Sequence, residues 1–519
     1  MSAARRLAVL HGLGSEAAAE IVRAGLARSF SEAAVARRRY GSAAPAEAAA
    51  VAIEPGEAEA GELACFAGGG RKLLLLGALA PRVAARFGLP ATTSPDVSAE
   101  EALAHARLGT PFDASPAAIR WHPEATPGGP PALPCRAFCR FDFEEEWNHL
   151  GHGRIPLEPG PWSAVTVPEP GDARALATVR VADELRGVFA ALHDAADAAA
   201  LWIGRAVGPV DGLDWTVVER FFSDHRAGEL ACWPCWSDLP AGHGAGATFR
   251  LDCDEAVASA RPLFERYRER GVPVSLALRA GHAFDAADRA LVRDVLAAGG
   301  TLLSHSLNHL PDWGRDEDEA RAEARASRAR LEALAPDAAP VRFAVSPFHR
   351  NPSYAIRALA ESGYHALVSG IIVNDPECLL GRAGALPFAR PPLVSHSQQH
   401  MLHGDCFRRR KDSIAPWQEG FENHRRAEAL YGYLDHPFSE RYAYGWADEA
   451  QRMAAHEALL DVITAGGGTW LPSLGRALSH LVRRSRSALF VDDAGRPRAS
   501  GPAGPDPLAA RLAGRIWAV

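Results

Sequence analysis

The stretch TFRLDCDE, Thr248–Glu255, opens the strand–helix alternation that sets the fold class. Read as a strand, it puts Arg250, Asp252 and Asp254 on one face and Phe249, Leu251 and Cys253 on the other, because side chains alternate. A helical run follows at Glu255–Arg270 and stops at Gly271. The strand Val274–Leu278 leads to a helix at Ala286–Ala298, which Gly299 and Gly300 end before the strand Thr301–Leu303. The alternation lasts to about Leu481 and predicts an α/β parallel sheet or barrel, with its site at the C-terminal ends of the strands.

Two carboxylates at i,i+2 near a strand end are placed to converge on one cation. Directly after the third strand comes SHSLNH, Ser304–His309. Histidines four apart meet on one side of a helical turn, close enough to hold one metal through imidazole nitrogens. Alone, an Asp-x-Asp is more often a cap or a solvated loop, and a His pair more often a surface feature. Their shared position at strand ends selects the metal reading. Two histidines and a carboxylate leave a coordination position open for water, whose pKa the metal lowers, and a spare carboxylate can take the proton. In outline this is a hydrolase site.

An Asp-x-Asp strand end followed by His-Ser-x-x-His on a later strand resembles the NodB-homology polysaccharide deacetylase family. The resemblance continues in VRFAVSPFHRNPSYAIRALAESGYHAL (Val341–Leu367), YLDHPFSERY (Tyr433–Tyr442) and GGGTWLPSLGRAL (Gly466–Leu478), and spans roughly residues 247–480. It implies a distorted (β/α) barrel with fewer strands than the usual eight. It also implies hydrolysis of an N-acyl amide, N-acetyl above all, on an amino sugar of a glycan or glycan precursor. Asp252 would be the general base, Asp254, His305 and His309 the ligands of a divalent metal with zinc preferred, and His436 the general acid. The family's third motif carries an arginine against the catalytic aspartate. Ala344, Val345 and Ser346 stand there in this chain, so Arg250 or Arg350 is the expected replacement. The family's Asp-Trp pair is absent too, and Asp405 in SHSQQHMLHGDC (Ser395–Cys406) is the candidate substitute. Arg250, Ser346, His349, Arg350, His403 and Asp405 are the candidate substrate-binding residues. The alternatives are a non-catalytic carbohydrate-binding protein on the same barrel, or a hydrolase of another linear amide such as a formamide.

The composition agrees with a soluble globular chain of 519 residues, 47% hydrophobic and 23% charged. A net charge of −7 from 56 basic and 63 acidic residues excludes the broad positive footprint of a nucleic-acid binder. The longest apolar run, Leu73–Ala80, is too short for a membrane span. The start, MSAARRLAVLHGLGSEAAAE, lacks the apolar core of an export signal, so a cytoplasmic location and an intracellular substrate are expected. Eight cysteines in a chain this long do not form a disulfide framework.

Composition breaks predict an N-terminal α/β domain over 1–122, a Pro/Gly-rich linker over 123–134 and a middle accessory region over 135–246. The barrel over 247–480 and a loop-rich tail over 481–519 complete the chain. HGLGSEA (His11–Ala17) has the glycine spacing of a dinucleotide turn but no acidic partner on a second strand, so it reads as a plain βα turn. Cys232/Cys235 and Cys135/Cys139 read as free thiols rather than a zinc site. WNHLGH (Trp147–His152) reads as surface histidines, and GPVDGLDW (Gly208–Trp215) as either a sugar platform or core. The mixed charges of DEDEARAEARASRARLEAL (Asp316–Leu334) predict a solvated helix with i,i+4 pairs.

Overall fold

The structure is a computed structural model that describes residues 6–42, 48–98, 100–101, 117–122, 124, 127, 135–137, 160–368, 381–386, 389–396, 399–409, 411–439 and 441–519. WNHLGH and Cys139 lie outside them.

Two nine-stranded sheets organise the described residues. The first contains β1 (Leu7–His11), β2 (Val35–Arg39), β3 (Ala49–Ile53), β4 (Arg71–Leu76), β5 (Ala117–Trp121), β6 (Cys135–Ala137), β7 (Arg174–Val181), β8 (Glu184–Ala195) and β9 (Ala198–Ile203). Its order is β2-β1-β3-β4-β9-β8-β7-β5-β6. The β2-to-β9 side is parallel and the rest antiparallel. Helix α1 (Glu16–Phe30) crosses from β1 to β2. β3 and β9 read as unbroken apolar runs because both faces of this sheet are covered. Strands from 1–122 and from 135–246, the two sides of the predicted boundary, belong to one sheet. Non-local pairing of β4 with β9 overrides the local Pro/Gly signal.

The second sheet holds β11 (Ala247–Cys253), β12 (Ser275–Leu278), β13 (Thr301–Ser304), β14 (Phe343–Val345), β15 (Ala366–Val368), β16 (Gly384–Ala385), β17 (Val394–His396), β18 (Gln399–Met401) and β19 (Tyr431–Asp435), while β10 (Cys235–Trp236) stands outside it. The order is β16-β17-β15-β14-β13-β12-β11-β19-β18, with β16 alone antiparallel. This is an incompletely closed, distorted (β/α) barrel. Eight of its strands are parallel, where the family resemblance implied fewer. Helices α2 (Arg261–Glu269), α3 (Ala286–Ala297), α4 (Glu317–Leu334) and α5 (Ser353–Glu361) make the first crossovers. Helices α6 (Ala415–Arg426), α7 (Glu449–Thr464) and α8 (Leu474–Ser485) follow. Phe249 of β11 stacks on Tyr267 of α2 at 4.3 Å and on Tyr433 of β19 at 5.0 Å, which fixes β11 in the barrel core.

The two sheets are joined by buried polar contacts. Arg28 of α1 donates to Ala385 O (3.1 Å) and Ser395 Oγ (2.7 Å). Glu219, buried, accepts from Ser29 Oγ (2.6 Å) and from Arg382 (2.5 and 2.7 Å). Gly208–Trp215 is buried throughout, with Trp215 Nε1 donating to Ser29 Oγ, so that stretch is core and not a sugar platform. Cys232 and Cys235 are buried thiols outside any disulfide, and Lys72 Nζ donates to Cys232 Sγ at 3.1 Å. The predicted loop-rich tail is instead two hairpins, β20 (Ala488–Val491) with β21 (Pro497–Ser500) and β22 (Ala509–Leu512) with β23 (Arg515–Ala518). β22 pairs with β10 and anchors the chain end. No helix among the described residues is long and apolar enough to cross a membrane.

Candidate active site

The barrel gathers the predicted residues at the C-terminal ends of β11, β13 and β19. Asp254 follows β11, His305 follows β13 and His436 follows β19. His305 Nε2 lies 3.1 Å from His309 Nε2, and Asp254 Oδ1 lies 3.2 Å from His305 Nε2 and 3.4 Å from His309 Nε2. Ligand atoms 2.0–2.1 Å from a tetrahedral zinc stand about 3.3 Å apart, so this triangle has the size of one metal's coordination face. Asp254 Oδ1 is buried without a hydrogen-bond partner, as expected of an atom whose partner is a cation. The donor set therefore fits a divalent metal.

The two histidines do not sit on a helical turn, as their spacing predicted. Residues 305–310 form a loop in which Ser306 (φ 61°) and His309 (φ 57°) are left-handed. Ser306 Oγ accepts from His309 N at 2.8 Å, which closes the loop on itself. Glu323 of α4 reaches in from behind and accepts from Leu307 N (3.0 Å), Asn308 N (2.9 Å) and Asn308 Nδ2 (2.5 Å). One residue of the supposedly solvated helix thus holds the ligand loop. His305 Nδ1 contacts Val345 O at 3.0 Å, so its other nitrogen faces the metal position. Burial and the neighbouring His305 push His309 down to about 4, keeping it neutral and ligand-ready. Burial opposes protonation of His305, but Asp254 and Asp252 outweigh it and its pKa is raised.

Asp252 shares a strand face with Asp254, is near enough to His305 and His436 to feel their charge, and is only 2% exposed. Arg250, fully buried, grips it with Nε at 2.7 Å from Oδ1 and Nη2 at 3.1 Å from Oδ2. Burial alone would raise the Asp252 pKa. Arg250, then His305 and His436, hold it below the usual carboxylate value. The arginine missing from the third motif is thus supplied from the same strand, two residues earlier. Arg350 instead pairs with Asp312 at 2.8 Å.

His436 Nε2 is 3.5 Å from Asp254 Oδ2, and its ring stacks on Tyr444 at 4.4 Å. Its backbone N donates to Asp435 Oδ1 at 2.8 Å, and its carbonyl accepts from Arg452 at 2.9 Å. Asp435 also takes Arg452 Nε (2.8 Å), lies 3.1 Å from His456 Nε2, and is wholly buried. Asp405, the expected partner of His436, meets Arg408 at 2.6 Å and lies 3.8 Å from His403 Nδ1. His403 packs edge-on against His436 at 5.8 Å. Ser346 is buried and hydrogen-bonds Asn351. The His349 side chain lies outside the described residues. Glu323, Asp435, Arg452 and Tyr444 were not singled out from the sequence. Of these, only Asp435 carried a local signal, by adjoining His436 in YLDHP.

No family model and no curated protein matches the chain. Solved structures do. A Mycobacterium smegmatis protein described as a polysaccharide deacetylase matches at 16% identity over 47% of this chain and 93% of its own, with a TM-score of 0.35. A family 4 carbohydrate esterase from Streptomyces lividans, in complex with acetate, matches at 13% over 44% and 92%, TM-score 0.30. This chain is similar to polysaccharide deacetylases of known structure. An allantoinase, Puue, matches at 14% over 47% and 92%, TM-score 0.35. Each likeness covers less than half of this chain, and the chemistry of the site rests on the side chains described above.

Proposed function

We propose that this chain is a hydrolase that removes an N-acyl group, N-acetyl above all, from an amino sugar, with a divalent metal held by Asp254, His305 and His309. The observation that carries the reading is the triangle of three ligand atoms, with the buried, arginine-held carboxylate of Asp252 two residues before Asp254 and the imidazole of His436 3.5 Å from Asp254 Oδ2. When bound, a cation with an open coordination position polarises an acyl oxygen and acidifies water, and zinc suits this N,N,O donor set.

Asp252 takes the proton of the attacking water, and Arg250 keeps that carboxylate ionised and aimed. His436 gives a proton to the departing nitrogen. Water and amide thus become a carboxylate and an ammonium. Asp435 and Tyr444 fix the His436 backbone and ring. A site for binding alone would need neither the proton acceptor nor the donor.

The test is acetate release from N-acetylated amino sugars by the wild type and Asp252→Asn, with metal content measured on both. Expected are turnover in the wild type and loss of at least about 10²-fold in the variant at equal metal content. Equal turnover in both proteins, or metal-loaded wild type inert on every N-acyl sugar tried, refutes the proposal.

A further inference from the structure

The opposite, N-terminal rim of the barrel carries a second cavity of about 410 Å³. Arg342 precedes β14 and His365 precedes β15, whereas Ser346 of the active-site rim follows β14. Strands of three or four residues therefore separate the two sites, about 10–13 Å of backbone. Arg476, His480 and Arg483 of α8, with Arg486 just past it, complete the cationic wall, and 502–506 close the far side.

Four guanidiniums line this cavity against one carboxylate, Asp506, an excess of three positive charges. Asp506 is already taken by Arg476 at 2.9 and 2.5 Å. Among the described residues no carboxylate pairs with Arg342, Arg483 or Arg486, although Arg483 donates to the Asp506 carbonyl. His480 is 3% exposed and neither of its ring nitrogens has a hydrogen-bond partner. Its ring rests edge-on against Trp470 at 5.3 Å, which fixes it in the cavity wall. Burial, then Arg484 and Arg483, push His480 down to about 3, and burial, Arg486 and Arg342 lower His365.

Guanidinium forks match phosphate oxygens two at a time, and like charges held around one cavity repel unless an anion lies between them. The volume falls within the range of small-molecule sites and exceeds what a bare ion fills. We propose that this rim cavity binds a phosphate-bearing small molecule, a monoester or diphosphate, through Arg342, Arg483, Arg486 and His480, separately from the metal centre.

The test is titration calorimetry of the full chain with inorganic phosphate, inorganic pyrophosphate and a hexose phosphate, at ionic strength held constant with potassium chloride. The same titrations are run on R342Q/R486Q, whose altered side chains are exposed, and on H305A/H309A. Expected is saturable binding to the wild type and to H305A/H309A, weakened about tenfold or more in R342Q/R486Q. Tighter binding of the hexose phosphate than of inorganic phosphate marks an ester ligand, tighter binding of pyrophosphate marks a diphosphate, and binding of inorganic phosphate as tight as both overturns the assignment to either. No saturable binding to the wild type, unchanged affinity in R342Q/R486Q, or binding abolished only in H305A/H309A overturns the proposal.

Discussion

Glu323→Ala is the perturbation that most directly tests how the ligand loop is built. The carboxylate is 4% exposed and accepts three hydrogen bonds, two from consecutive backbone nitrogens and one from Asn308 Nδ2. Bonds to an ionised acceptor contribute about 1.5–3 kcal/mol each, and three would sum to about 5–9 kcal/mol if additive. They are not additive, because they share one carboxylate. Asn308 is exposed, so water recovers part of the loss. A cost of about 2–4 kcal/mol remains. Ser306 and His309 occupy left-handed backbone, which persists only while surrounding contacts hold it. The alanine variant should therefore let His309 leave the triangle while His305, held by Val345 O and strand β13, stays. Metal affinity, measured by competition with a chromogenic chelator, should fall about 10–100-fold. The melting temperature of the metal-free protein should fall by about 2–4 °C. Wild-type metal affinity in a folded Glu323→Ala protein would refute the assignment of Glu323 as the anchor of the loop.

Arg250→Met leaves a buried carboxylate without its cation, so it should cost about 3–5 kcal/mol in denaturant unfolding. Metal content should hold while acetate release collapses, and undiminished turnover would show that another group aims Asp252. The barrel should also have a distinctive acid limb. Burial would raise the Asp238 pKa, but Arg484 and Arg382 hold it far below the ordinary value. Its folded pKa is depressed, so its stabilisation is full above the unfolded value of about 3.9 and is lost as pH falls below that. Thermal melts from pH 6 to pH 3 should show a steep fall below about pH 4 in the wild type. In Asp238→Asn they should show a lower plateau and a shallower fall, and parallel curves would count against the ion pairs as the cause.

Much of the candidate site's placement was legible because its residues sit where strands end. The alternation in TFRLDCDE separates Arg250, Asp252 and Asp254 from the core residues between them, and β11 and β13 run within a residue of where their apolar runs suggested. Less was legible where long-range pairing decides. Nothing local in RKLLLL says that β4 will pair with β9, so a Pro/Gly-rich stretch between residues of one sheet reads, in sequence, as a border between domains. The left-handed residues Ser306 and His309 are invisible to side-chain periodicity, which is why HxxxH suggested a helical turn. Glu323 is one acid among many in a mixed-charge helix, and only the loop packed on that face gives it a task. Asp435 likewise becomes a support for His436 only when Arg452 and His456 arrive on α7.

The adjacency of β11 and β19 also has a consequence for the order of events on the ribosome. Asp254, His305 and His309 are all synthesised by residue 309, but His436 comes 127 residues after His309, on a strand that docks directly against β11. At ordinary elongation rates that interval is roughly 6–25 s. A nascent chain can therefore bring the three proposed cation ligands together while β11 still has a bare edge, and it gains His436, the proposed proton donor, only when β19 covers that edge. On the proposed function, loading of a metal and the onset of hydrolysis would be separated in time by the order in which the barrel's neighbours are made.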